Sequence, residues 1–294
     1  MGTFGSVWKA YDTQLDRTVA LKMPRKGQFD EAQEKSILRE AQSAAQLQHP
    51  GIVPVYEVGR EGDALYIVSE YVRGVPLSDW LSGQRISIRE AAELCVKIAD
   101  ALDHAHQRKV IHRDLKPSNI ILDEDFEPHL MDFGLARRDA GEITMSVAGQ
   151  ILGTPAYMAP EQARGEAHLA DRRSDVYSLG VIFYQLLTGE LPFRGNVRML
   201  LHQVMHDEPP SPRKLNATVP RDLETIALTC LEKEPAKRYP TARAVAEELG
   251  RWLRHEPILA RPIGPISKSW RWAKRNKTIA GLLALTVATL LTAS

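Results

Sequence analysis

A carboxylate, a lysine and a carboxamide stand close together in His112-Arg113-Asp114-Leu115-Lys116-Pro117-Ser118-Asn119. Eighteen residues beyond Asp114 comes Asp132-Phe133-Gly134, and later Ala159-Pro160-Glu161. Upstream, Lys22 closes the short apolar run Val19-Ala20-Leu21-Lys22. Carboxylate and amide oxygens are hard donors that suit a hard divalent cation. Lysine ammonium groups suit a polyanion. A positioned carboxylate can also take the proton of a hydroxyl. Taken singly, each residue has an ordinary reading. Asp114 could be a turn or cap, Lys22 a solvated strand end, and Asp132-Phe133-Gly134 an Asp turn. Their order along one chain is what asks for a joint explanation.

Such groups act together only if distant elements carry them to one place. Residues 5–80 read as short strands around one helix. Val19–Lys22 and Leu65-Tyr66-Ile67-Val68 are strand-like runs, and Phe29 to Gln48 lacks Gly and Pro and reads as a helix. Residues 88–250 are mostly helical in pattern, with Ile88–Gln107, Val176–Leu187 and Asp222–Leu231 as examples. A strand-rich front and a helix-rich back predict two lobes of different class. No internal repeat is present. The 294 residues allow one large domain or two modest ones, and 44% hydrophobic residues are enough to bury a core. Two cysteines, Cys95 and Cys230, exclude a disulfide scaffold and suit a reducing compartment. No CxxC or HExxH spacing points to zinc. A net charge of +1 argues against a generally basic nucleic-acid binder.

That average conceals an asymmetry. Arg251 to Lys277 holds eight basic residues and one acid, Glu256, a local charge of +7 that leaves −6 for the rest. Pro257, Pro262, Gly264 and Pro265 mark this stretch as a linker. Thr278–Ser294 then gives 17 residues without a charge. As a helix it would span roughly 25 Å at about 1.5 Å per residue, slightly short of a bilayer core of roughly 30 Å. It reads as a transmembrane helix cut short. Trp270 and Trp272 beside Lys274, Arg275 and Lys277 suit an interfacial belt on the cytoplasmic side.

The four motifs, in this order and spacing, resemble the eukaryotic-like Ser/Thr protein kinase family over about residues 2–250. The resemblance implies an α+β bilobal kinase fold over residues 1–254. The N-lobe would cover about 1–73 and the C-lobe about 74–254. A basic juxtamembrane linker (255–277) and a transmembrane helix (278–294) would follow. It also implies ATP and Mg²⁺ as cofactors. Asp114 would orient the substrate hydroxyl and accept its proton, and Lys116 would neutralise charge on the transferring group. Asn119 and Asp132 would hold the metal. Lys22 would hold the α- and β-phosphates, with Glu40 in Leu38-Arg39-Glu40-Ala41 paired to it. Thr154 would contact Asp114 and Lys116. Gly2 and Gly5 match the end of a Gly-rich phosphate loop, and Val7 would cover the adenine. The first glycine of that loop and the strand before it are absent, so the sequence is expected to begin inside the domain. Ala20 would form the roof of the adenine site and Ile121 its floor, with Glu70 and Val72 supplying hinge backbone groups. Ser69 stands at the gatekeeper position, where a small side chain enlarges the space behind unless larger neighbours fill it.

Further positions follow from the same resemblance. Glu161 should pair with Arg238, and Asp175 should brace the catalytic loop. Residues 134–153 resemble an activation loop in which Thr144 and Ser146 are phosphorylation candidates, able to pair with Arg113 and Arg137. Lys116-Pro117-Ser118-Asn119 and Gly153-Thr154-Pro155-Ala156-Tyr157 match the Ser/Thr branch. His104 and His106 read as ordinary helix residues. The expected activity is transfer of the ATP γ-phosphate to Ser/Thr hydroxyls of proteins by a single-pass kinase of bacterial receptor-like type. Its kinase domain would be cytoplasmic, its partners proteins and membrane but no nucleic acid, with a homodimer as a further option. The rivals are a membrane-anchored pseudokinase scaffold and a small-molecule phosphotransferase.

Overall fold

The structure is a computed structural model that describes residues 5–24, 31–62, 64–133, 155–166 and 170–260. In chain order the elements are β1 (Gly5–Asp12), β2 (Arg17–Pro24), α1 (Glu31–Ala44), β3 (Val55–Glu61) and β4 (Ala64–Glu70). Next come β5 (Gly74–Pro76), α2 (Leu77–Gly83), α3 (Ile88–Gln107), β6 (Ile120–Asp123) and β7 (Pro128–Leu130). The remainder is helical: α4 (Pro160–Ala163), α5 (Arg172–Thr188), α6 (Val197–His206), α7 (Pro212–Leu215), α8 (Arg221–Cys230) and α9 (Ala242–Leu253).

The N-lobe is a four-stranded antiparallel sheet in the order β1-β2-β4-β3, with α1 packed beside it. β-branched and apolar residues in β2 and β4 favour this pairing. The register sets Lys22 opposite Ile67 and Ala20 opposite Ser69. Because side chains alternate along a strand, Ala20 and Lys22 share one face. Ile37 and Ala41 of α1 bury against Leu65 and Ile67 of that sheet.

The C-lobe is built around α3 and α5. Ser87 caps α3 in a reciprocal box with Glu90, which satisfies two otherwise orphaned N–H groups. α5 is buried from Ser174 to Tyr184, apolar on nearly every side, and serves as the axis of the lobe. Gly180 lets α8 approach it: a Cβ there would lie 2.5 Å from the Cβ of Cys230. A second sheet, β5-β6-β7, lies between the lobes. It joins the N-lobe through Val53 N–H to the Leu130 carbonyl at 2.9 Å and Leu130 N–H to the Gly51 carbonyl at 2.9 Å.

The first part of the expected linker is fastened to the C-lobe. Ile258 is buried, and Glu248 accepts from the N–H groups of Leu259 at 2.8 Å and Ala260 at 2.9 Å. The kinase unit therefore packs chain a few residues beyond Arg254. The transmembrane segment expected at 278–294 lies outside the described residues. Among the described residues no helix is long and apolar enough to cross a membrane.

Candidate active site

The candidate catalytic groups sit where β2, the loop after α3, and the segment after β7 converge. α3 ends at Arg108 and the chain turns through His112–Asn119 before β6. Asp175 of α5 organises this loop. Its Oδ1 accepts from Arg113 N–H at 2.8 Å, and its Oδ2 accepts from His112 N–H at 2.8 Å. His106 Nε2 reaches the same Oδ2 at 2.7 Å. Burial alone would raise the Asp175 pKa, but the hydrogen bond from His106, the charges of His106 and His112 and the His112 N–H hold it below the usual carboxylate range.

The backbone is strained at two places, one in this loop and one after β7. Arg113 has φ +65° and Asp132 has φ +65°, left-handed values that side chains other than glycine rarely adopt. Each costs about 1–3 kcal/mol and persists only where its surroundings over-determine it. Arg113 is held by Asp175, as above. The chain at Asp132 is held through its neighbours. Met131 N–H donates to the Asn119 carbonyl at 3.0 Å, and the Met131 carbonyl lies 3.0 Å from His112 Nε2. The rings of His112 and Phe133 lie in tilted contact with centroids 4.7 Å apart.

This framework aligns the functional side chains. Lys116 Nζ donates to Asp114 Oδ2 at 2.6 Å. Asn119 Nδ2 donates to the Asp114 carbonyl at 2.8 Å and to Asp114 Oδ2 at 3.2 Å. With both amide hydrogens turned to Asp114, the oxygen is the end that Asn119 can offer a cation. Lys22 Nζ lies 2.7 Å from Asp132 Oδ2 across the cleft. Lys22 and Asp132 thus form one contact, Asn119, Asp114 and Lys116 a second set, and the backbone bond from Met131, next to Asp132, to Asn119 ties the two together.

The resemblance assigns Glu40 to Lys22. The structure places Glu40 Oε1 3.5 Å from Arg113 Nη1, a link from α1 to the catalytic loop that the sequence reading does not contain. Lys22 pairs with Asp132 across the cleft.

Val7 and Ala20 line the cleft from the N-lobe sheet, Ile121 from β6, and Glu70 and Val72 from the end of β4 and the segment after it. The same cleft extends past Ser69 to Ala41, Ala44 and Phe133, so the space behind the small gatekeeper position is continuous with the front. Gly5 opens β1 opposite Pro24. Gly2, Thr144, Ser146 and Thr154 lie outside the described residues.

The scaffold pair is present. Arg238 Nη1 and Nη2 donate to Glu161 Oε1 and Oε2, each at 2.8 Å, and Ser174 Oγ adds a bond of 2.6 Å. Burial raises the Glu161 pKa, but Arg238 and Ser174 outweigh it and leave the carboxyl below its ordinary value. Two contributors lie outside the sequence reading. His106, read there as an ordinary helix residue, holds Asp175. Gln162 donates to the Arg113 carbonyl at 2.8 Å. A lone helical histidine carries no spacing signal. A glutamine three residues after a helix start is a capping signature that could have drawn attention to the second.

The comparison with known proteins follows from this geometry. The family profile for the protein kinase domain matches residues 1–249. The chain belongs to the eukaryotic-like protein kinase family. Serine/threonine-protein kinase PrkC of Bacillus subtilis is 38% identical over 254 residues, which cover 84% of this chain and 38% of that protein. Serine/threonine-protein kinase PknB of Mycobacterium tuberculosis is 39% identical over 268 residues, 87% of this chain and 42% of that one. The chain therefore spans about two-fifths of the length of these curated relatives. Among solved structures, the PknI kinase domain of Mycobacterium tuberculosis superposes with a TM-score of 0.69 at 26% identity, covering 85% of this chain and 92% of that one.

Proposed function

We propose that this chain transfers the γ-phosphate of ATP to Ser/Thr hydroxyls of proteins. The observation that supports the reading is the convergence of two contact sets, Lys22 with Asp132 and Asn119 and Lys116 with Asp114, tied by the backbone bond from Met131, next to Asp132, to Asn119. Phosphoryl transfer needs aligned groups and placed charge more than covalent chemistry from the protein. Asp114, held by Asn119 and Lys116, would orient the acceptor hydroxyl and accept its proton. Lys116 supplies positive charge beside the same carboxylate. Asn119 and Asp132 offer two oxygen donors, which suits Mg²⁺ held largely by phosphate and water. Bound with ATP, Mg²⁺ would neutralise charge on the phosphates. Lys22 would then exchange Asp132 for the α- and β-phosphates, and Asp132 would exchange Lys22 for the cation.

Three finer readings belong to the same proposal. Phosphorylation of Thr144 or Ser146 would activate the enzyme, with Arg113 as a partner for the phosphate. The apolar stretch 278–294 would anchor the chain in the cell membrane, supported by the +7 segment before it. A homodimer would bring one loop to another active site. No observation favours the scaffold or the small-molecule alternative.

The test is acceptor identity. The chain is incubated with Mg²⁺, γ-labelled ATP and either casein or a panel of phosphorylatable metabolites. Label on Ser/Thr of casein, and on Thr144 or Ser146, is expected. Label confined to a metabolite, or to tyrosine, would overturn the assignment.

A further inference from the structure

Gln162 is the third residue of α4, directly after Ala159-Pro160-Glu161. Its amide joins two segments. Oε1 accepts from Ala159 N–H at 3.1 Å, which caps the helix start. Nε2 donates to the Arg113 carbonyl at 2.8 Å. The two partners fix which end of the amide is which, since an N–H requires oxygen and a carbonyl requires nitrogen.

Arg113 immediately precedes Asp114 and is the residue with φ +65°. Asp175 of α5 holds its N–H at 2.8 Å and Gln162 of α4 holds its carbonyl. That carbonyl belongs to the peptide plane that enters Asp114. Fixing it limits rotation of the backbone on which the Asp114 carboxylate stands.

The segment at the other end of this contact is itself anchored. Glu161 is bound by Arg238 and Ser174. The Tyr157 carbonyl accepts from Ser178 Oγ at 2.8 Å, and the Tyr157 hydroxyl donates to Gln185 at 2.7 Å. Among the described residues, Gln162 to Arg113 is the one hydrogen bond between residues 155–163 and the loop 112–119. We infer that Gln162 is a positioning residue that sets the acceptor-binding segment in register with Asp114. The inference rests on the kinase reading, in which the segment around residue 155 receives the acceptor.

The rival is a plain helix cap, and two variants separate them. Gln162→Glu keeps an oxygen for Ala159 N–H but removes the donor to Arg113. Gln162→Met keeps the length and removes both. The full chain is assayed with Mg-ATP and casein for kcat and both KM values, with a thermal midpoint for each variant. The expected result is a loss of roughly 10–100-fold in kcat for both variants, the scale of a small misplacement at a reacting centre, with the ATP KM unchanged. Gln162→Glu should keep the wild-type thermal midpoint. A wild-type kcat in the folded fraction of either variant, or a change confined to the midpoint, overturns the inference. A wild-type chain that transfers no phosphate would instead overturn the kinase reading itself.

Discussion

At the residue scale, one buried carboxylate carries much of the site. Asp175 receives two loop N–H groups and His106, and leaving any of these unpartnered in the interior costs about 1–3 kcal/mol. Asp175→Asn keeps the shape but offers one oxygen where two are used. It should lower both kcat and the thermal midpoint, checked by steady-state kinetics and calorimetry. The depressed pKa values of Asp175 and Glu161 also set a pH dependence. An unfolded carboxyl binds protons at higher pH than these two do, so their stabilisation is complete above the ordinary carboxylate range. It is lost as pH falls through that range toward their folded values. Urea midpoints measured between pH 7 and pH 3 should fall, and Glu161→Gln with Arg238→Met should flatten the slope. A slope unchanged by the pair would contradict the assignment. Ser69 makes a separate prediction. Because the cleft continues past it to Ala41 and Ala44, Ser69→Met should exclude an ATP analogue with a benzyl group on N6 while sparing ATP. Competition assays should show the analogue weakened by roughly tenfold or more, on the scale of about 1–3 kcal/mol for overpacking.

At the element scale, helix periodicity was the most legible feature. Ile88–Gln107 reads as a helix from sequence and is α3 with the same bounds, because a long apolar stripe follows its Ser87 cap. Val176–Leu187 falls inside α5, whose first turn is polar and escapes a pattern search. β5 and β7 were not legible, since strands of three residues are too short to show a period. Close packing was equally hidden. Gly180 reads as an unfavourable helix residue until α8 is seen against it. Gly180→Ala should therefore destabilise the chain by about 1–3 kcal/mol despite alanine's better helix propensity. Adding Cys230→Gly should recover part of the loss, and thermal unfolding of the double variant is the check.

At the scale of the whole molecule, two lobes bring their candidate site residues to one cleft. Lys22 comes from the N-lobe sheet, and Asp114, Lys116, Asn119 and Asp132 from the C-lobe side, joined across the cleft by the 2.7 Å pair of Lys22 and Asp132. The convergence of these residues was legible in the sequence, because their types and order match what phosphoryl transfer asks of a carboxylate, an amide and an ammonium. Their supports were not. His106, Gln162 and the contact of Glu40 with Arg113 depend on how helices distant in sequence meet, which no spacing encodes. The most direct test of the account is phosphate transfer by the chain beside Asp114→Asn and Lys22→Met. With Mg²⁺ and γ-labelled ATP, the wild-type chain should label Ser/Thr residues of itself and of casein. Each variant should lose roughly 100-fold or more of that rate, the scale of removing a proton acceptor or a phosphate-binding charge. Equal labelling by wild type and Asp114→Asn, or none by a wild-type chain that binds ATP, would contradict it.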